Sequence, residues 1–148
     1  MLSSVSSFTG FAWLASHPWA YPALEVVHIV GIALLLGNLV LLELRIWGAA
    51  PALPLLPLAR LSLTLVMLGF ALIGASGLTM FASQPAELLS NSSFLWKMGV
   101  IAGAGINAAF FHARGGLARA DRIAKLQTAL SLGLWLGAII LGRWIAYR

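Results

Sequence analysis

Residues 28–44 read HIVGIALLLGNLVLLEL, a run that is apolar around the whole helix except at His28, Asn38 and Glu43. A helix needs about 20 mainly apolar residues to cross a hydrocarbon core of about 30 Å. This run therefore predicts a first membrane span over residues 23–44, and three similar runs predict spans over 61–82, 94–113 and 124–146. The expected fold is all-α, a four-transmembrane-helix bundle that uses residues 1–148 as a single membrane domain.

The composition excludes several classes of function. Hydrophobic residues make up 61% of the chain and charged residues 9%, whereas about a quarter of the residues of a soluble domain are charged. The chain has no Cys, which excludes disulfides, thiolate metal sites, covalently attached c-type haem and a Cys nucleophile. It contains neither a GxGxxG motif nor a P-loop, so a nucleotide site is not expected.

The basic residues lie between the apolar runs, which indicates membrane topology and not a nucleic-acid partner. Arg45 and Arg60 lie between spans one and two, and four more basic residues lie within 114–125. Residues 1–22 and 82–93 contain no Lys or Arg. Since Lys and Arg accumulate in cytoplasmic loops, we expect both termini to be periplasmic, in a bacterial inner membrane.

Three segments outside the spans carry further predictions. Residues 7–15, SFTGFAWLA, predict a short interfacial helix rather than a cleaved leader, because no basic residue precedes them. Pro51, Pro54 and Pro57 predict an extended, polyproline-like connection. The aromatic residues of one membrane interface are expected to form a belt; they are Trp13, Trp19, Tyr21, Trp96, Trp144 and Tyr147.

Glycines recur at helical spacing in all four spans. Two GxxxG pairs occur; they are Gly99 with Gly103 and Gly133 with Gly137. Such residues let helices approach closely, within the chain or in a homo-oligomer. The alternative is that a flat macrocycle lies against helices that lack bulky side chains.

Polar residues inside a span are costly and therefore suggest function. Counting 1.5 Å per residue from the span ends places His28, Lys97 and Arg143 in the outer third of the membrane. Glu25, three residues before His28, shares its helix face, and Met80 ends span two at the same level.

Each of these residues also has a purely structural interpretation. His28 could form an interhelical hydrogen bond, Lys97 could extend to the headgroups and Arg143 could anchor the interface. His112 and Glu43 are expected at the cytoplasmic surface, about 20 Å from His28. Two His residues so far apart cannot both ligate one haem. Two further polar residues, Asn38 and Asn107, are expected to form hydrogen bonds between helices.

Four stretches are similar to a bacterial four-helix integral-membrane family of unknown function, and together they cover nearly the whole chain. They are EVVHIVGIALLLGNLVLLELRIWG (25–48), SGLTMFAS (76–83), FLWKMGVIAGAGINAAFFH (94–112) and LSLGLWLGAIILGRWIAY (130–147). The first-span His followed by IVG, with aromatic residues and a Lys at the start of the third span, more distantly resembles HemJ-type protoporphyrinogen oxidases and copper-resistance D membrane proteins. The resemblance to the oxidases implies roles for His28 and Lys97 in haem-associated oxidation. The oxidases have a polar residue just before that Lys, where this chain has Leu95 and Trp96.

Three functions follow as hypotheses. In the first, the protein binds haem b or a related tetrapyrrole through His28, pairs a propionate with Lys97 or Arg143, and passes electrons to quinone or another redox partner. In the second, Glu25, His28 and Met80 bind copper on the periplasmic side. In the third, the protein is a non-catalytic scaffold subunit that packs through its glycine faces. The sequence leaves open whether the protein is an enzyme.

Overall fold

The computed structural model describes residues 10–147, which form seven helices. They are α1 (Trp13–Ser16), α2 (Ala20–Ile46), α3 (Leu55–Ser83), α4 (Pro85–Leu89), α5 (Ser92–Ala113), α6 (Gly116–Arg119) and α7 (Arg122–Ile145). Helices α2, α3, α5 and α7 are each long and apolar enough to cross a membrane. The predicted all-α fold with four membrane-spanning helices is confirmed.

The four long helices form two antiparallel hairpins. Helix α2 packs along α3, α5 packs along α7, and contacts between α2 and α7 join the pairs. Tyr21 Oη accepts a hydrogen bond from Gln84 Nε2 at 2.8 Å, and Asn91 Nδ2 donates to the Ile145 carbonyl at 3.1 Å. The start of α2 and the end of α7 therefore lie at the same end of the bundle, here called the terminal end.

The opposite end, here called the basic end, carries the α2–α3 and α5–α7 connections, the basic residues in or beside them, and a cluster of buried apolar residues. Trp47 Nε1 donates to Thr128 Oγ1 at 2.7 Å, which ties the end of α2 to the start of α7. One cluster of buried apolar side chains lies beside this contact; its members are Leu42, Ile46, Ala59, Phe111 and Ala124. The basic end thus combines a buried apolar cluster with a hydrogen bond between the two hairpins.

Helices α2 and α3 cross with their backbones in contact at Gly31 and Gly69. A Cβ atom on Gly69 would lie 2.6 Å from the Gly31 carbonyl oxygen, and one on Gly31 would lie 2.8 Å from the Gly69 oxygen. The close contact predicted for the glycines is confirmed here. The prediction of a close contact within the chain is wrong for three other glycines. In the described residues, a Cβ would meet nothing within 4 Å at Gly99, Gly103 or Gly133.

The helix ends depart from the sequence prediction mainly at the proline-rich connection. Helix α3 begins at Leu55 rather than residue 61, with Pro54 as its N-cap, so Pro57 lies in its first turn. A proline is tolerated there because the first amide groups of a helix have no partner within it. The prediction that Pro57 belongs to an extended segment is therefore wrong.

The N-terminal segment agrees with the prediction only over its last residues. Helix α1 covers Trp13–Ser16, and residues 7–9 of the predicted interfacial helix lie outside the described part of the chain. Most of the predicted belt residues are more than half exposed at the terminal end, with Trp19 at 78% and Trp96 at 70%. Tyr21 is partly buried, and its hydroxyl accepts a hydrogen bond from Gln84.

Candidate functional site

His28 on α2 is held by a serine on the neighbouring helix. Its Nδ1 lies 3.0 Å from Oγ of Ser76, a residue that is 1% exposed. The same hydroxyl donates to the Leu72 carbonyl at 2.6 Å. With the single hydrogen of its hydroxyl directed to the Leu72 carbonyl, Ser76 is assigned as the acceptor from His28, and this assignment places the ring proton on Nδ1. The other ring nitrogen, Nε2, is then the unprotonated atom of the neutral ring.

The close crossing of α2 and α3 sets this geometry. His28 lies three residues before Gly31, and Ser76 lies seven residues after Gly69. At these helical spacings, both residues lie on the side of their helix that faces the other helix. Gly77 lies beside the imidazole, since a Cβ there would be 3.5 Å from His28 Cε1. A larger side chain at position 77 would press against the ring.

Lys97 on α5 is partly buried against α7. A Cβ on Gly142 would lie 3.1 Å from its Nζ and 3.5 Å from its Cε, so the side chain passes across this glycine. Lys97 lies near enough to His28 for the two side chains to interact electrostatically. Over residues 10–147 its ammonium has no carboxylate within ion-pair distance. The structure thus brings an imidazole and a cation without an ion-pair partner in the described chain within electrostatic range of each other, from different hairpins.

The structure places the three other predicted site residues differently. Arg143 is exposed, donates to Tyr147 Oη at 2.7 Å and lies over its ring at 5.0 Å. Glu25 is exposed on α2. Met80 is partly buried one turn beyond Ser76 on the same face of α3. The part of the chain that the structure describes contains no group of three or more His, Asp or Glu residues placed to hold a metal ion.

The two asparagines of the spans form different hydrogen bonds. Asn107 Nδ2 donates to the Gln127 carbonyl at 2.8 Å and joins α5 to α7, as predicted. Asn38 Nδ2 donates instead to the Leu34 carbonyl of its own helix at 2.7 Å. The interhelical bond predicted for Asn38 is therefore wrong, because the carbonyl one turn back is within reach of its side chain.

A second polar site lies at the basic end and was not predicted. Glu43, expected at the surface, is 3% exposed, and its Oε2 has no hydrogen-bond partner among residues 10–147. It lines a cavity of about 60 Å³ together with Asn107, His112 and Ser131. The surface prediction for Glu43 is wrong because α2 continues to Ile46 and turns this side chain inward.

The spacing of the neighbouring residues is the signal that could have placed Glu43 inside. The cavity that Glu43 lines is also lined by Leu39, Leu42 and Ile46. Between these positions, Leu41 and Leu44 are 46% and 44% exposed. Positions 39, 42, 43 and 46 follow the helical period of one face. His112 is exposed, as expected, and lies at the edge of the cavity.

The connection before α7 contains the one ion pair of the described residues. Arg114 NH2 lies 2.9 Å from Asp121 Oδ2, and Arg114 NH1 also donates to Gln127 Oε1 at 3.2 Å. Asp121 is the N-cap of α7 and accepts a hydrogen bond from the Ala124 amide. That amide, followed by Arg114, lowers the pKa of the Asp121 carboxyl. The carboxylate is therefore the form that caps the helix.

Comparison of the chain with protein families, curated proteins and solved structures found no match. The functional argument therefore rests on the geometry of the two polar sites.

Proposed function

We propose that this protein binds haem b or a related tetrapyrrole in the outer half of its bundle through Nε2 of His28. The observation that carries the proposal is the hydrogen bond between His28 Nδ1 and Ser76 Oγ. Metal-ligating histidines almost always donate their other ring N–H to a fixed acceptor, which orients the ring and makes the ligating nitrogen more basic. Ser76, itself bonded to Leu72, is such an acceptor.

The residues around His28 fit a macrocycle better than a bare ion. A tetrapyrrole brings four nitrogen ligands of its own and needs one or two from the protein, and this level of the bundle supplies one imidazole. Lys97 supplies a cation for a propionate, and such a pair offsets part of the cost of burying either charge. A bound haem would supply one-electron redox chemistry, with quinone or another redox partner as the electron acceptor.

The absorption spectrum of detergent-purified protein, expressed with a supply of haem and recorded with and without dithionite, tests this function. We expect a Soret band in the wild type and its loss in His28→Ala. His17→Ala is the matched control, because His17 is exposed and, among residues 10–147, accepts hydrogen bonds only from the nearby Trp19 and Ala20 amides. Absence of a Soret band in the wild type would refute the proposal.

Two variants test how the site is built. Ser76→Ala removes the acceptor for Nδ1 and should weaken haem binding by about 10–100-fold, the usual effect of losing such a partner. Lys97→Met preserves side-chain length and removes the charge, so it should weaken binding but leave the spectrum of the ligated iron unchanged. An altered spectrum in Lys97→Met would assign Lys97 to the iron instead of the propionate.

Copper binding is the second candidate, and Met80 on the face of α3 that carries Ser76 is the observation that favours it. Copper accepts thioether and imidazole ligands. Copper retained by the purified wild type and lost in His28→Ala, with no porphyrin spectrum, would select this candidate over haem.

A homo-oligomer or scaffold role would use the open glycine face of α5. Gly99 and Gly103 have free space beside them, so a second helix could approach there. Gly99→Leu should then dissociate the oligomer in detergent, measured by light scattering. An unchanged mass would exclude this face as the interface.

The orientation that we propose places the basic end in the cytoplasm and both termini in the periplasm of a bacterial inner membrane. The chain lacks Cys, so single cysteines can report it. Ser90→Cys and Ala118→Cys substitute exposed residues at the terminal and basic ends. A membrane-impermeant maleimide should label the first in intact spheroplasts and the second only after lysis. The reverse pattern would invert the topology.

A further inference from the structure

We propose that Glu43 is a proton-binding carboxyl that exchanges its proton with the basic-end surface through the adjoining cavity and His112. This inference concerns the opposite end of the bundle from His28. Fifteen residues of α2 separate His28 from Glu43, or about 22 Å along the helix axis. The two sites can therefore be tested separately.

The first step of the argument is the burial of the carboxyl group. Glu43 is 3% exposed, and its Oε2 has no hydrogen-bond partner in the described chain. Burying an ionised carboxylate without a partner costs several kcal/mol, even after the protein relaxes. A neutral acid avoids most of that cost, because its hydroxyl needs a single acceptor.

The second step is that the cations nearby have other partners. The guanidinium of Arg114 is bonded to Asp121 Oδ2 and Gln127 Oε1. Arg45 Nε donates to the Leu53 carbonyl. Over residues 10–147 no Lys or Arg lies within ion-pair distance of Glu43. A proton is therefore the positive charge that this carboxyl can take up without rearrangement of the bundle.

The third step is that the cavity can hold water. Its volume is about 60 Å³, and one water needs about 10–15 Å³ together with polar partners. Asn107 and Ser131 are among the residues that line the cavity, and Asn107 Nδ2 is already bonded to the Gln127 carbonyl. Water bonded to these groups would accept a hydrogen bond from the hydroxyl of protonated Glu43 and give its proton a route out.

The fourth step is that the route reaches the surface at His112. Helix α2 contributes Glu43 and apolar residues to the cavity, α3 contributes only Leu63, and α7 contributes Gln127, Thr128 and Ser131. On α5, His112 is the other titratable residue of the lining, and it is exposed. A neutral imidazole accepts a proton at one nitrogen and releases one from the other.

Proton transfer then balances without another reactant. One nitrogen of His112 accepts a proton from hydronium at the surface, which leaves water, and the other nitrogen releases a proton to water in the cavity. That water passes a proton to Oε2 of Glu43, which becomes the neutral acid. Release of the proton reverses the same steps. His112 acts here as a relay residue, and Glu43 holds the proton.

Infrared spectroscopy and carbodiimide labelling of the full chain in liposomes test the proposal. At neutral pH we expect the carbonyl band of a neutral carboxylic acid that shifts in D₂O and is absent in Glu43→Gln. Dicyclohexylcarbodiimide, which reacts with protonated carboxyls in apolar surroundings, should modify the wild type on the peptide that contains Glu43. Glu25→Gln is the control and should retain both signals. The infrared band and the mapped adduct of the wild type still test the proposal if Glu43→Gln fails to fold.

The relay is tested by the rate at which the acid band shifts after transfer to D₂O. His112→Gln should retain the band and slow its shift by about a hundredfold, whereas His17→Gln should leave the rate unchanged. An unchanged rate in His112→Gln would overturn the relay. An ionised Glu43 at neutral pH, or a wild-type adduct on another carboxyl, would overturn the proton site. Protection from the carbodiimide by Na⁺, together with a carboxylate band, would assign the cavity to a metal cation instead.

Discussion

Replacing Gly69 by alanine should destabilise the α2–α3 hairpin, because the two backbones touch at this position. The new Cβ would lie 2.6 Å from the Gly31 carbonyl oxygen and 2.8 Å from the Leu35 amide nitrogen. Ordinary contact begins near 3.4 Å, so the helices must separate by about 0.8 Å, and backbone atoms cannot move aside as a side chain can. Overpacking of this kind costs about 1–3 kcal/mol.

Gly74→Ala is the matched control for this prediction. It makes the same substitution in the same helix, but its Cβ would meet nothing within 4 Å. Helix propensity alone would make alanine more stable than glycine by up to about 1 kcal/mol. The free energy of unfolding, measured by circular dichroism during a titration with sodium dodecyl sulfate, should therefore fall for Gly69→Ala and stay level or rise for Gly74→Ala.

The same substitution should disturb the His28 site, because the crossing holds the imidazole against Ser76. Gly69→Ala should therefore weaken haem binding as well as stability, while Gly74→Ala should preserve both. If the two variants were equally stable, the helices would not be in backbone contact at Gly31 and Gly69. That contact could then not be what holds His28 against Ser76.

Two further predictions concern the α5–α7 hairpin. Asn107→Ala should lower the free energy of unfolding in the same titration by about 0.6 kcal/mol, the average for an interhelical hydrogen bond in a membrane. Asn38→Ala breaks a bond within one helix and should lower it by less. Equal losses in the two variants would refute the assignment of the Asn107 bond as interhelical. Because the pKa of Asp121 is lowered on folding, its contribution is complete above the unfolded pKa of about 3.9 and is lost as the pH falls through the folded value. Asp121→Asn should therefore remove part of the acid-dependent loss of stability, and an unchanged pH profile would contradict this.

The sequence predicted the four spans, because the length and apolar composition of each run decide them. His28 and Lys97, which the sequence singled out, lie near enough in the structure to interact electrostatically. Sequence reasoning could not predict that Ser76, a residue with no motif around it, would be the partner of His28. That pairing depends on which faces of α2 and α3 meet, and the contact of Gly31 with Gly69 decides it.

The error at Glu43 has its physical cause in the composition of α2. In a soluble helix, polar residues mark the face that points to water, so the sequence sets the rotation of the helix about its axis. Helix α2 is apolar on nearly every face, and lipid accepts any of them equally well. Its rotation is set by the one place where only a glycine fits, at Gly31. Twelve residues further along, the same rotation turns Glu43 into the bundle, so this crossing positions both polar sites.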